Sequence, residues 1–205
     1  QVRRDRGQRR SQSDRRAGRS REKTMKIKSL FKEAKSARGA RLLYRAAVEQ
    51  ARRPAFYALH GVPDTIDGRF DMIALHVFLI LHRLKRDGQA RGPVGQALFD
   101  LMFADMDGSL REMGVGDLSV GRKIKQMATG FYGRVAAYET GLASQGGELE
   151  QALRRNLYGT VAPAPAQLAA LESYVRRQAA FLAGQPGDAL LRGEVAFALP
   201  EEKPA

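Results

Sequence analysis

Between residues 39 and 192, apolar side chains recur at helical spacing in successive blocks, most of them closed by glycine or proline. The first block opens at Arg41-Leu42-Leu43-Tyr44 and runs to Arg53. Pro54 then interrupts it, because proline lacks the amide hydrogen and clashes with the preceding turn. A short apolar piece follows (Phe56, Tyr57, Leu59) and ends at Gly61-Val62-Pro63. The next block has the clearest period. Ile66, Phe70, Ile73, Val77, Ile80 and Leu84 form one straight stripe at 3.6 residues per turn, with Asp64 or Thr65 as N-cap. Met72, Leu75 and Leu79 lie opposite that stripe. Apolar residues on two sides predict a helix buried among neighbours. Its apolar run, Met72–Leu81, is far shorter than the ~20 residues of a membrane span.

A helix is predicted from Pro93, a favourable first-turn residue, to Gly114-Val115-Gly116. Its apolar arc holds Leu98, Phe99, Met102, Phe103, Met106, Leu110 and Met113. Another helix starts near Ser119, with Ile124, Met127, Phe131, Val135, Tyr138 and Leu142 on one stripe. Gly146-Gly147 breaks the chain, and Leu149, Leu153 and Leu157 mark a short helix. Beyond Pro163-Ala164-Pro165, Leu168, Leu171, Val175, Ala179 and Leu182 form the last stripe. Val195-Ala196-Phe197-Ala198-Leu199 reads as a lone strand or an extended strap. The expectation is an all-α, compact multi-helix domain over 39–205, with a short C-terminal strap and a basic, disordered tail over 1–38.

Charge sharpens that division. The chain has 205 residues, 35 Lys and Arg, 22 Asp and Glu, and a formal charge of +13. Residues 1–24 hold ten of the basic residues and three of the acids, so +7 sits there and +6 on the rest. A segment with so little apolar surface cannot offset its chain entropy by burial. It reads as a nucleic-acid or ribosome-binding tail, as a transit-type segment, or as sequence upstream of a native start at Met25, where Met25-Lys26-Ile27-Lys28 begins. No apolar stretch follows the basic run, which argues against a secretory signal.

The chemistry-bearing residues are few. Zero cysteines exclude disulfides, thiolate metal sites and thiol nucleophiles. None of the three histidines lies three residues after a glutamate, the spacing of di-iron bundles. His76 and His82 are six residues apart and point about 120° from each other, which disfavours a shared metal. His76 therefore reads as a core-edge histidine with a satisfied hydrogen bond. Asp105-Met106-Asp107-Gly108 lacks the glycine and closing glutamate of a calcium loop. With Asp100, Glu112 and Asp117 it forms an acidic stretch, read as a solvated face or as a dock for a basic partner. Catalytic, cofactor and metal residues are thus expected to be absent, as is a small-molecule substrate.

Two surfaces are candidates for binding. Phe70, Ile73, Val77, Phe99, Met102, Phe103, Met106 and Met113 form a Met/Phe surface that is either ordinary core or a groove for an apolar helix. Arg122, Lys123, Lys125 and Arg134 point away from their helix's apolar stripe and form a candidate basic patch.

One set of residues carries a resemblance. Gly61-Val62-Pro63-Asp64, Phe70-Asp71-Met72-Ile73-Ala74-Leu75-His76-Val77, Arg83-Leu84-Lys85, Leu98 through Met106, Met113-Gly114-Val115, Phe131-Tyr132 and Tyr138-Glu139-Thr140-Gly141-Leu142 follow in order over residues 61–142. By their order and spacing the chain resembles the ubiquinol–cytochrome c chaperone family. That resemblance implies a helical, non-enzymatic assembly factor for respiratory complex III, whose client is newly made cytochrome b. It also implies ribosome association for mitochondrial members. The chain departs from these in lacking tryptophan and in having a reduced N-terminal part, which puts ribosome docking in doubt. The expected location is cytoplasmic, or the matrix side of a mitochondrion, with peripheral contact to an anionic membrane surface. The competing reading is a basic RNA- or ribosome-binding protein, and a third is a helical enzyme or haem carrier using His76 or His82.

Overall fold

A computed structural model describes residues 32–90 and 92–200. Among these, the regular secondary structure is all helical, with no β-strand. The elements are α1 (32–51), α2 (Ala55–Ala58), α3 (Ile66–Arg86), α4 (Pro93–Glu112), α5 (Asp117–Ala143), α6 (Glu148–Leu157), α7 (Pro165–Ala183) and α8 (Gly187–Leu191). The all-α expectation holds. The expected disordered tail and the start at Met25 fall mostly on residues outside those described.

Helix α1 is already formed at residue 32, ahead of the apolar onset at 39. Lys32, Glu33, Ala34, Lys35, Ala37 and Arg38 are good helix formers, and all but Ala37 are exposed or lie beyond the apolar stripe. Helical propensity continues the helix where there is no core to produce a periodic signal.

Helix α3 is the axis of the molecule. The Thr65 hydroxyl accepts from the Gly68 amide at 3.1 Å and caps its start. Met72, Leu75, Val77, Leu79, Ile80 and Leu84 are fully enclosed. The two apolar sides read from the sequence are buried because neighbours surround the helix. Helices α4, α5, α6 and α7 follow one another around α3, each packed on the next. Helix α1 spans the remaining gap: Tyr44 donates to Asp105 of α4 at 2.7 Å, and Gln50 donates to the Tyr174 hydroxyl of α7 at 2.9 Å.

The α5–α6 hairpin is unusually close. A Cβ placed on Gly141 would sit 2.5 Å from the Leu149 Cα, so only glycine allows this approach. Gly147 turns the chain with φ of 90°, which also favours glycine.

A polar network crosses the core. His76 Nδ1 donates to the Met72 carbonyl at 2.8 Å, and Nε2 accepts from the Tyr174 hydroxyl at 2.8 Å. The Tyr174 oxygen in turn accepts from Gln50. Each group then has its partner with the imidazole neutral. Burial pushes the His76 pKa down to about 4.

The C-terminal segment is a strap. Gln178 accepts from the Ala198 amide at 3.1 Å and donates to its carbonyl at 2.6 Å. Gln185 holds Ala196 in the same two ways, at 3.0 and 2.7 Å. The gripped residues are two apart, the spacing at which extended chain turns the same edge to a neighbour. Glutamine side chains thus supply the ladder that a partner strand would provide.

Candidate functional site: an apolar groove between α3, α4 and α5

The apolar arc of α4 grades from core to surface along its length. Leu98 and Met102 are fully buried, Phe103 and Met106 nearly so, Leu110 is half-buried, and Met113 is 45% exposed. The cause is geometric. Helix α4 packs on α3 and α5, and the three separate towards the α4 C-terminus.

That separation leaves a groove of about 1160 Å³. Its floor holds Phe70 and Ile73 from α3, Met106 and Leu110 from α4, and Met127 from α5. Ile66, 61% exposed, and Met113 stand at its edges. Leu157 at the end of α6, and Gly159 and Thr160 of the α6–α7 connector, line the groove as well. A smaller hollow of about 530 Å³ lies beside it, around Tyr57, Asp64 and Arg69.

The wall carries an ion pair. Arg134 Nη2 of α5 meets Asp71 Oδ1 of α3 at 2.6 Å, both side chains mostly buried. The guanidinium carbon lies 5.8 Å from the centre of the Phe70 ring, within cation–π range. Burial pushes the Asp71 carboxyl up to about 6, against the opposing pull of Arg134. Exposed Arg52, Lys123 and Arg155 stand on the rim, with Asp67 and Asp105 as its acids.

The structure divides the residues expected to form a Met/Phe surface. Phe70, Ile73, Met106 and Met113 line the groove. Val77 and Met102 do not: both are fully enclosed in the core, since α3 and α4 are covered at those turns. Phe99 and Phe103 turn to α5 instead. Their rings lie 4.7 Å apart, with Phe99 5.8 Å from Phe131 and stacked on Tyr132 at 5.4 Å.

The basic patch also divides. Arg122, Lys123 and Lys125 are exposed. Arg134 belongs to the groove wall and is paired, because it lies about 120° around the helix from Arg122. In the acidic stretch, Arg111 binds both Asp107, at 2.5 Å, and Asp117, while Asp100 accepts from Gln96 and Asp105 from Tyr44. The solvated-face reading accounts for these acids.

Sequence spacing could not locate the Asp71–Arg134 pair, whose members belong to different helices. Ile66, Leu110 and Met127 were visible only as members of apolar stripes, with nothing to separate them from core. The histidines have separate settings: His82 bonds Glu139 at 2.8 Å, and Lys85 holds the same carboxylate at 2.7 Å. Among the described residues no cluster of three or more His, Asp or Glu could hold a metal, and no helix is long and apolar enough to cross a membrane.

Comparison with known proteins places this architecture. The family model described as "Ubiquinol-cytochrome C chaperone" matches residues 58–197. The ubiquinol-cytochrome-c reductase complex assembly factor 1 of Xenopus laevis is 31% identical over 164 residues, covering 80% of this chain and 82% of the frog protein. The Mus musculus protein of that name is 30% identical over 75% of this chain, which spans only 52% of the mouse protein's length. Among solved structures, the Cbp3 homolog from Brucella abortus superposes with a TM-score of 0.72 at 36% identity, covering 84% of this chain and 96% of that one. The chain belongs to the ubiquinol–cytochrome c chaperone family.

Proposed function

We propose that this chain is an assembly chaperone for the cytochrome bc1 complex and that it receives newly made cytochrome b, or an apolar segment of it, in the groove. The groove carries this reading: a family member opens an apolar floor of about 1160 Å³ to the surface. The relatives' names, which speak of assembling ubiquinol–cytochrome c reductase, support the choice of complex.

The chemistry of the floor suits an apolar helix. Such a ligand presents anchors at i, i+3/i+4 and i+7 to a hydrophobic groove. Met106, Met113 and Met127 are flexible and polarizable, so they adapt to segments that differ in shape. The rim cations set orientation and encounter rate more than affinity. No step of bond chemistry is required. The groove shields apolar surface until partner subunits cover it. Because the client is a membrane subunit, peripheral contact with an anionic membrane surface belongs to the same reading.

A photo-crosslinking residue at Met113 is expected to yield a covalent product with cytochrome b, and a deletion strain is expected to lose bc1 complex. Normal bc1 levels together with no recovered cytochrome b would overturn the proposal. An RNA- or ribosome-binding role draws on the exposed cations Arg122, Lys123 and Lys125 and on the basic residues 1–24. It requires binding to RNA that weakens steeply with salt.

A further inference from the structure

The outer face of α5 carries a pattern that packing uses only at one end, where the Tyr132 ring stacks on Phe99 at 5.4 Å. Leu118, Arg122, Lys125, Thr129 and Tyr132 follow at alternating steps of four and three residues, which places them within an arc of about 80°. All five are exposed, Leu118 at 95% and Tyr132 at 62%. A single exposed leucine needs no explanation. This one ends a face with cations one and two turns along and an aromatic ring about 21 Å away, at 1.5 Å per residue.

The electrostatics of the face are one-sided. From residue 118 to residue 138, α5 contains no acidic residue. Among the described residues, neither Arg122 nor Lys125 has an ion pair, while Asp117 at the helix start is held by Arg111. A leucine, two cations and a tyrosine on one helical face match a helix lying in the plane of a membrane interface. Tyrosine favours the headgroup level, and cations are drawn to anionic lipid. A nucleic acid would use the cations but has no use for Leu118.

We infer that the outer face of α5 docks on an anionic phospholipid bilayer, with Leu118 and Tyr132 as anchors and Arg122 and Lys125 against the headgroups. The inference rests on the proposed work beside a membrane and names the surface that does it. The other side of α5 walls the groove through Met127, Gly130 and Arg134, so docking holds the groove next to the bilayer.

The chain has no tryptophan, so Leu118→Trp in the full chain introduces a single indole. Leu118 is almost wholly exposed, so little packing is lost. Vesicles of phosphatidylglycerol and phosphatidylcholine are the probe. Emission from the new indole is expected to shift to the blue and to be quenched by brominated acyl chains. Phe181→Trp on α7, at a site 46% exposed, is expected to show neither effect. Arg122→Glu with Lys125→Glu is expected to weaken vesicle binding at least about tenfold.

Residues 1–24 are themselves basic and attract anionic vesicles, which is why the indole and not sedimentation decides. Sedimentation with vesicles while the indole stays in water overturns the α5 assignment and leaves the membrane reading standing. Failure to bind vesicles overturns both. An indole response to polyuridine but not to vesicles gives the face to nucleic acid. None of these outcomes touches the crosslink at Met113, which reads the groove independently.

Discussion

Asp71 and Arg134 meet at 2.6 Å where α3 and α5 form the groove wall, although 63 positions separate them in the chain. The pair is mostly buried, so each charge depends on the other. Arg134→Met leaves the carboxylate without its cation. The expected cost is about 2 kcal/mol, below the ~3–5 kcal/mol of a fully buried pair. The Asp71 midpoint, about 6 in the parent, is expected to rise further, because burial raises it and Arg134 is what lowers it. Carboxyl NMR titration of parent and variant reads both midpoints.

Acid stability carries a second prediction, with two opposing signs. His76 has a folded pKa of about 4, below its ordinary 6.5. Its contribution is therefore present above pH 6.5 and is lost as pH falls towards 4, by about 3 kcal/mol. Asp71 is raised from 3.8 to about 6. Its contribution is present below about 4 and is lost as pH rises through 6. The two largely cancel between pH 4 and 6. Asp71→Asn removes one of them, so denaturant unfolding of that variant is expected to weaken more steeply on acidification than the parent does. A parallel pH dependence in the two proteins would contradict this.

Two methionines of one helical arc separate core from groove. Met102 is fully buried, and Met102→Asp is expected to unfold the domain by placing an unpaired charge in the core. Met113 stands at the groove edge, 45% exposed, and Met113→Asp is expected to fold with a melting temperature close to the parent's while losing the cytochrome b crosslink from a photo-crosslinking residue placed at Leu110, another lining position. Thermal denaturation and crosslinking, run on both variants, check the contrast.

Gly141→Ala tests the α5–α6 crossing. Its new methyl would lie 2.5 Å from the Leu149 Cα, a backbone atom that cannot rotate away. A loss of about 1–3 kcal/mol is expected from the forced backbone shift. In an exposed helix the same change would stabilise by up to about 1 kcal/mol, so calorimetry reads the sign.

Gln178→Ala tests the strap. The substitution leaves the Ala198 amide without its partner, while the carbonyl keeps the bond donated by Gln50 at 2.9 Å, at a cost of about 1–3 kcal/mol. Limited proteolysis is expected to cut near residue 198 well before the rest of the domain opens.

Much of the fold was legible because helices announce themselves locally. The Ile66–Leu84 stripe with a second apolar side predicted a surrounded helix, and α3 is the axis of the molecule. Thr65, Pro93 and the Gly146-Gly147 break marked boundaries through their own backbone chemistry. The start of α1 was less visible, since its first turns bury little. The strap was legible only as an alternative, because its hydrogen bonds come from glutamines on α1, on α7 and in the turn that follows α7.

The binding surface was less legible than the helices. An apolar arc has the same period whether a neighbour covers it or leaves it open, so Met102 and Met113 looked alike in sequence. The sequence alone determined an all-α chain, the order and approximate limits of its helices, the absence of thiol chemistry and a resemblance to one family. Only the tertiary structure decided which end of the α4 arc lies open, that Arg134 faces Asp71 and not the basic patch, and that His76 is sealed by Tyr174. Periodicity is set by the backbone of a single helix. Exposure and pairing are set by how far apart neighbouring helices lie, a distance that no one helix encodes.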